Sequence, residues 1–291
     1  MSGRLRVGAT SMLTDQGIDV VDLARELESR GFDALHLPEH THMPVVREIE
    51  HPLMDSLPEE YRRTLDPFVA LSMAAAVTTR LRLGTGILLL GQRDPIVTAK
   101  AIATLDHLSD GRFVLGLGYG WNREELADHG VAWGDRRAVI HERLSLMQAL
   151  WSQEVASFDG QTHHLPASAA WPKPKAGGVP VWLGVSPGPN NFAAVAQIAD
   201  AWIPHGSSGL ETSMAQLHAT CESGGRDPAT VATIPFGVLP TPGKIQRLLD
   251  LGIREIVTLV DGSSRDVAMR TLDEQSATLD TVLGSSGWQR S

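Results

Sequence analysis

The chain has 291 residues, 42 % of them hydrophobic and 20 % charged. That is apolar material enough for a sizeable core, and it excludes a disordered segment. The 25 Lys and Arg against 34 Asp and Glu leave a formal charge of −9, so no nucleic-acid partner and no anionic membrane surface is expected, although a local basic pocket for a phosphate stays compatible. One cysteine, Cys221, excludes an internal disulfide and a cysteine-based zinc site. No run approaches the ~18 apolar residues of a membrane span and the first residues hold no leader-like stretch, so the expectation is a cytoplasmic α/β protein.

Eight short apolar runs follow one another, at 5–9, 34–37, 81–89, 113–117, 181–184, 201–203, 232–238 and 255–260. Each is too short for a helix and most do not alternate, as in parallel strands buried on both faces. Helix-period segments lie between them. After Asp19, an N-cap residue type, Val20, Leu23, Ala24 and Leu27 share one face, and Arg30-Gly31 marks the stop. Asp94-Pro95 opens another helix that runs to Leu108, and a last one begins near Arg265 with Ala268, Leu272 and Leu279 on one side. Eight strand–helix units predict a single (β/α)8 TIM barrel over 1–291, since such barrels allot ~31 residues per unit. Two long gaps are read as insertions, one of about 41–66 after the second strand and one of about 153–178 between the fourth and fifth. The rival is an open doubly wound sheet.

In a barrel, chemistry gathers where strands end. The second run ends in Glu39-His40-Thr41-His42, a carboxylate and imidazoles suited to proton transfer; a loop hydrogen bond is the plainer reading. Gly84 and Gly86 interrupt the third run, through either a bulge beneath a ligand or tight packing. After the fourth run, Gly116, Gly118 and Gly120 suggest a dinucleotide loop. Trp121 stands where that fingerprint needs Gly or Ala, so a flat ring resting on backbone fits better. Gly184-Val185-Ser186-Pro187-Gly188 leads into a helix from Phe192 and could offer N–H groups to an anion, or simply connect. His40, His42, His205 and Asp261 have the superficial pattern of a metal-dependent hydrolase, but no His or Lys follows the fourth and fifth runs where ligands would be wanted.

The stretch Leu83-Gly84-Thr85-Gly86-Ile87, Gln92-Arg93-Asp94-Pro95-Ile96-Val97-Thr98-Ala99-Lys100, Asp106-His107-Leu108-Ser109-Asp110-Gly111-Arg112-Phe113 and Gly118-Tyr119-Gly120-Trp121-Asn122 resembles the luciferase-like monooxygenase superfamily. With Glu39-His40, Tyr61-Arg62-Arg63 and Trp171-Pro172-Lys173-Pro174, it resembles more narrowly the branch using the deazaflavin coenzyme F-420. The resemblance implies a cis peptide at Gly86-Ile87 or one bond earlier, with the ring bedded by His40, by Thr85, Gly86 and Ile87, and by Gly118, Tyr119, Gly120, Trp121 and Asn122. Its phosphate would lie at Gly184, Val185, Ser186 and Gly188, where the glycines usual in the family are replaced.

The function expected is hydride transfer between F-420 and a small organic substrate. His40 would be the catalytic acid–base and Glu39 the residue orienting it, with 41–66 as a lid and 153–178 bordering the pocket. Arg93, Lys173 or Lys175 would meet the cofactor's acidic tail. No metal is expected, and the resemblance is compatible with a homodimer. The alternatives are an FMN-dependent monooxygenase of the same fold, a non-catalytic flavin-binding protein and the metal hydrolase.

Overall fold

A computed structural model describes residues 4–46, 56–284 and 287–289. Its strands are β1 (Arg6–Thr10), β2 (Ala34–Leu37), β3 (Arg82–Thr85), β4 (Phe113–Gly118), β5 (Ala156–Asp159), β6 (His164–Ser168), β7 (Val181–Gly184), β8 (Ala201–Trp202), β9 (Ala232–Thr233), β10 (Phe236–Val238) and β11 (Glu255–Leu259). Its helices are α1 (Val20–Ser29), α2 (Pro67–Val77), α3 (Pro95–Leu108), α4 (Arg123–Asp128), α5 (Arg136–Ser152), α6 (Pro189–Ile198), α7 (Leu210–Ser223), α8 (Pro242–Asp250) and α9 (Arg265–Leu283).

Nine strands form one curled parallel sheet in the order β10-β11-β1-β2-β3-β4-β7-β8-β9. β9 and β10 are the two halves of the 232–238 run, parted by Ile234 and Pro235. This run bonds on both sides, Phe236 N–H to the Pro204 carbonyl and the Pro235 carbonyl to Val257 N–H, so the sheet closes into the predicted barrel and the open alternative falls. β2 and β4 are buried along their whole length, because helices cover the outside and other strands the inside. Asp19 caps α1 through Val21 N–H, and the four residues predicted for its core face are those buried. Asp94 caps α3 with Pro95 in the first turn, and Ala268, Leu272 and Leu279 anchor α9.

Two expectations are corrected. The 81–89 run is a regular strand only over Arg82–Thr85; the cis peptide Gly86-Ile87 interrupts it, and Leu88 then rejoins β4, its N–H bonding the Gly116 carbonyl. The 153–178 insertion contains the antiparallel β5–β6 hairpin and borders no pocket at the barrel mouth. It joins the end of a helix to the start of a strand, so it springs from the face opposite the strand ends and folds back along α5, where Glu142 accepts from Gln161 and Thr162. Of the 41–66 insertion, residues 47–55 lie outside those described; Glu59–Arg62 form a single 3-10 turn.

Inside the barrel, His36 is fully buried between Trp182, stacked at 5.0 Å, and Phe236, edge-on at 5.7 Å. Gly84 is needed beside it: a Cβ there would stand 2.3 Å from the imidazole. Val114, Trp182, Ile203, Ile234, Phe236 and Val257 pack into one interior cluster, with Ile87 at its upper edge.

Candidate active site

The mouth of the barrel is a cleft with two lobes sharing Met12, Pro38, Tyr61, Ile87 and Ser186. One, about 410 Å3, is completed by His40, Trp121, Arg136, Arg137 and Asn191. The other, about 630 Å3, is completed by Ile203, Phe236, Val260 and Asp261.

His40 stands just past β2 with its side chain 7 % exposed, and it lines the first lobe. Its Nδ1 is 2.8 Å from Glu125 Oε2, while Glu125 Oε1 accepts the Thr41 N–H at 3.0 Å. A carboxylate on Nδ1 makes that nitrogen the donor and leaves Nε2 for the cleft. Local sequence places Glu125: Asn122 N-caps α4 by accepting from Glu125 N–H, which sets the glutamate in the first turn facing β2. The rings of Tyr61 and Trp121 flank the imidazole at 5.3 and 5.9 Å.

Glu39 does not orient His40. Along an extended strand end successive side chains point to opposite sides, and Glu39 points into the wall, accepting from Leu89 N–H at 2.8 Å and pairing with Arg93. Burial pushes the Glu39 carboxyl up, against the pull of Arg93 and the Leu89 N–H. Glu39 thus anchors the chain just beyond the Gly86-Ile87 bulge. Arg93 also bonds Asp66 at 2.6 Å and lies over Phe68, so it is committed to the wall.

The glycines lie where a bed was expected, but they serve packing first. A Cβ on Gly118 or Gly184 would come within 2.6 or 2.8 Å of the Ile87 side chain, and one on Gly86 within 2.3 Å of Phe236. The cleft floor is therefore the partly exposed Ile87 seated among glycines, bordered by Gly86 and residues 184–186, and not bare backbone. Tyr119, Gly120 and Trp121 line the same lobe, as do Val185 and Ser186. Three expected residues stand outside both lobes. Thr85 is buried and donates to the Gly116 carbonyl at 2.7 Å; Asn122 is occupied in capping α4 and bonding Met43; Gly188 precedes α6.

Arg136 and Arg137, unmarked in the sequence reading, line the end of the first lobe near Ser186. Arg137 lies 4.2 Å from the Tyr119 ring and donates to Asn191, whose amide in turn donates to the Ser186 carbonyl at 2.8 Å. α5 and α6 both start here without a side-chain cap, so unpaired N–H groups and the positive ends of two helices add to the guanidinium charge. Burial pushes the Tyr119 hydroxyl up, opposed by Arg137, and that hydroxyl is 2.7 Å from His141 Nε2. Lys173 and Lys175 cannot share this role: Lys173 binds the Leu150 carbonyl and Lys175 pairs with Asp110, on the face from which the hairpin springs. His42 bonds Asp128 at 3.0 Å, and among the described residues no three His, Cys, Asp or Glu side chains are grouped to hold a metal ion.

The model of a luciferase-like monooxygenase family matches residues 5–282. An uncharacterized protein of Mycobacterium tuberculosis is 41 % identical over 281 residues, 94 % of this chain and 99 % of that one. A phthiodiolone/phenolphthiodiolone dimycocerosates ketoreductase of the same organism is 31 % identical over 180 residues, 57 % of this chain and 45 % of that protein. Among solved structures, an F-420-dependent secondary alcohol dehydrogenase in complex with an F-420–acetone adduct superposes with a TM-score of 0.76 at 16 % identity, covering 96 % of this chain and 99 % of that one. A long-chain alkane monooxygenase superposes at 0.75 and 14 % identity, covering 100 % and 93 %. The closed parallel barrel and the family match together establish that this chain belongs to the luciferase-like monooxygenase family.

Proposed function

We propose that the chain is an oxidoreductase that moves a hydride between the deazaflavin coenzyme F-420 and a small organic substrate held above it. The observation that carries this reading is the convergence, in one lobe, of an apolar floor at Ile87, aromatic walls at Tyr119 and Trp121, a carboxylate-held imidazole at His40, and a cationic end at Arg136 and Arg137. These suit a planar ring with an acidic tail. Ile87 and the backbone at 184–186 would bear the ring; Arg136, Arg137, Ser186 and the starts of α5 and α6 would hold the tail.

When bound, the coenzyme supplies a carbon that takes up or releases hydride. The protein contributes orientation, exclusion of water and a proton. His40 Nε2 holds or accepts the proton exchanged with substrate, Glu125 fixes the tautomer, and Tyr61 and Trp121 shield the imidazole. The second lobe, about 630 Å3 beyond the shared floor, supports an enzyme over a mere flavin carrier, which has no use for a substrate-sized cavity.

The test is titration of purified protein with F-420 and with FMN, followed by absorbance or fluorescence. Saturable F-420 binding that outcompetes FMN supports the proposal. Tight FMN binding without deazaflavin affinity overturns it in favour of an FMN-dependent monooxygenase, and binding of neither overturns both.

A further inference from the structure

The two lobes differ in charge as well as in place. The first carries Arg136 and Arg137. Among the described residues lining the second there is no lysine or arginine; its ionisable groups include the carboxylates of Glu60 and Asp261 and the imidazole of His205, and apolar side chains such as Met12, Ile203, Phe236 and Val260 make up much of the rest. The basic side chains of the neighbouring helix do not turn in: Lys244 donates to the Leu239 carbonyl at 2.7 Å, and Arg247 reaches the Ser207 carbonyl. Asp261 accepts the Ser263 N–H at 2.9 Å, which holds its side chain in place among the lining residues.

Resting on the functional reading above, we infer that the second lobe selects uncharged, largely apolar substrates and rejects anionic ones. A carboxylate or phosphate entering it would lose its hydration shell, find no lysine or arginine and a single imidazole, His205, among these residues, and face two carboxylates. A neutral alcohol or ketone loses little and gains contact with the apolar wall. The cleft is thereby polarised: the anionic ligand belongs at the α5–α6 end, and the neutral one between β1, β10 and β11.

The experiment compares 4-phenylcyclohexanone with 4-(4-oxocyclohexyl)benzoate, the same scaffold with and without a carboxylate, by calorimetric titration of the protein with and without F-420. The neutral ketone should bind at least about tenfold more tightly, the size of effect two nearby charges produce at a partly solvated site. In the double variant Glu60→Gln and Asp261→Asn the gap should narrow several-fold; asparagine keeps the oxygen that accepts the Ser263 N–H. Equal binding of the two ligands by the unaltered protein, or binding of neither, overturns the inference, as does an unchanged gap in a folded double variant. Binding is read without turnover, so a charge preference that persists while F-420 fails to bind would sink the cofactor assignment alone.

Discussion

His36 offers a quantitative test of how the barrel interior is built. Its imidazole is fully buried against Trp182 and Phe236, and its Nε2 has no hydrogen-bond partner. Burial, reinforced by the nearby Arg82 charge, depresses its pKa from 6.5 to about 3. The folded state therefore holds His36 neutral, while the unfolded chain takes up a proton below pH 6.5. Stability contributed by this group is present above pH 6.5 and is lost progressively as pH falls towards 3. Between pH 7 and pH 5 the loss amounts to about 2 kcal/mol, since each unit of difference is worth about 1.4 kcal/mol and most of the unfolded population is protonated by pH 5. In a protein of this size that is roughly 3 °C in Tm. Urea unfolding at pH 7, 6 and 5 should show this loss, and His36→Asn should flatten the dependence by about 2 kcal/mol whatever packing it sacrifices. Only the slope matters, because a cavity or a lost ring contact costs the same at each pH. If the variant and the unaltered protein keep parallel profiles, the imidazole is not held neutral and the account of the interior is wrong.

Four further outcomes are expected. Once a substrate is found, His40→Ala should lower kcat by ~10²–10⁴ while the Kd for F-420 changes far less. Equal losses in both would make His40 a cofactor-binding residue only. Glu125→Gln should lower kcat less than loss of His40 does and shift the limb of the pH–rate profile assigned to the imidazole; an unmoved profile would reduce Glu125 to a packing role. Arg137→Ala should weaken F-420 binding by about tenfold and make it less sensitive to salt, whereas Lys175→Ala should leave titration curves unchanged. Finally, Gly116→Ala would place a Cβ 2.1 Å from the Thr85 carbonyl oxygen, with rigid backbone in the way, and should cost about 1–3 kcal/mol or more of stability. Gly118→Ala meets only the end of the Ile87 side chain, so it should be milder in unfolding assays and show chiefly in cofactor affinity.

Local pattern carried most of the architecture. The eight runs, the Asp19 and Asp94-Pro95 starts, and the Ala268/Leu272/Leu279 face are each decided within about ten residues, by periodicity, capping and turn chemistry; every run holds strand in the structure, although the third is cut short at Thr85 and the seventh is split in two. His40 was legible for a related reason: in a barrel, an ionisable residue just past a strand lands at the mouth wherever the other strands go. The glycines were visible but their purpose was not, because residue type alone does not say whether the missing Cβ makes room for a ligand or for Ile87.

What the sequence alone could not show are the pairings made across long separations. Glu125 meets His40 from 85 residues away, Arg93 claims Glu39 from 54, and Arg137 reaches Asn191 from 54. No periodicity links such positions; they become neighbours only when the sheet closes and the loops beyond its strands converge. Adjacency in the chain made Glu39 look like the partner of His40, yet neighbouring side chains on an extended segment diverge. The polarity of the cleft is likewise a property of assembled walls. The chain determined which residues would stand at the mouth, and closure of the barrel decided which of them face one another.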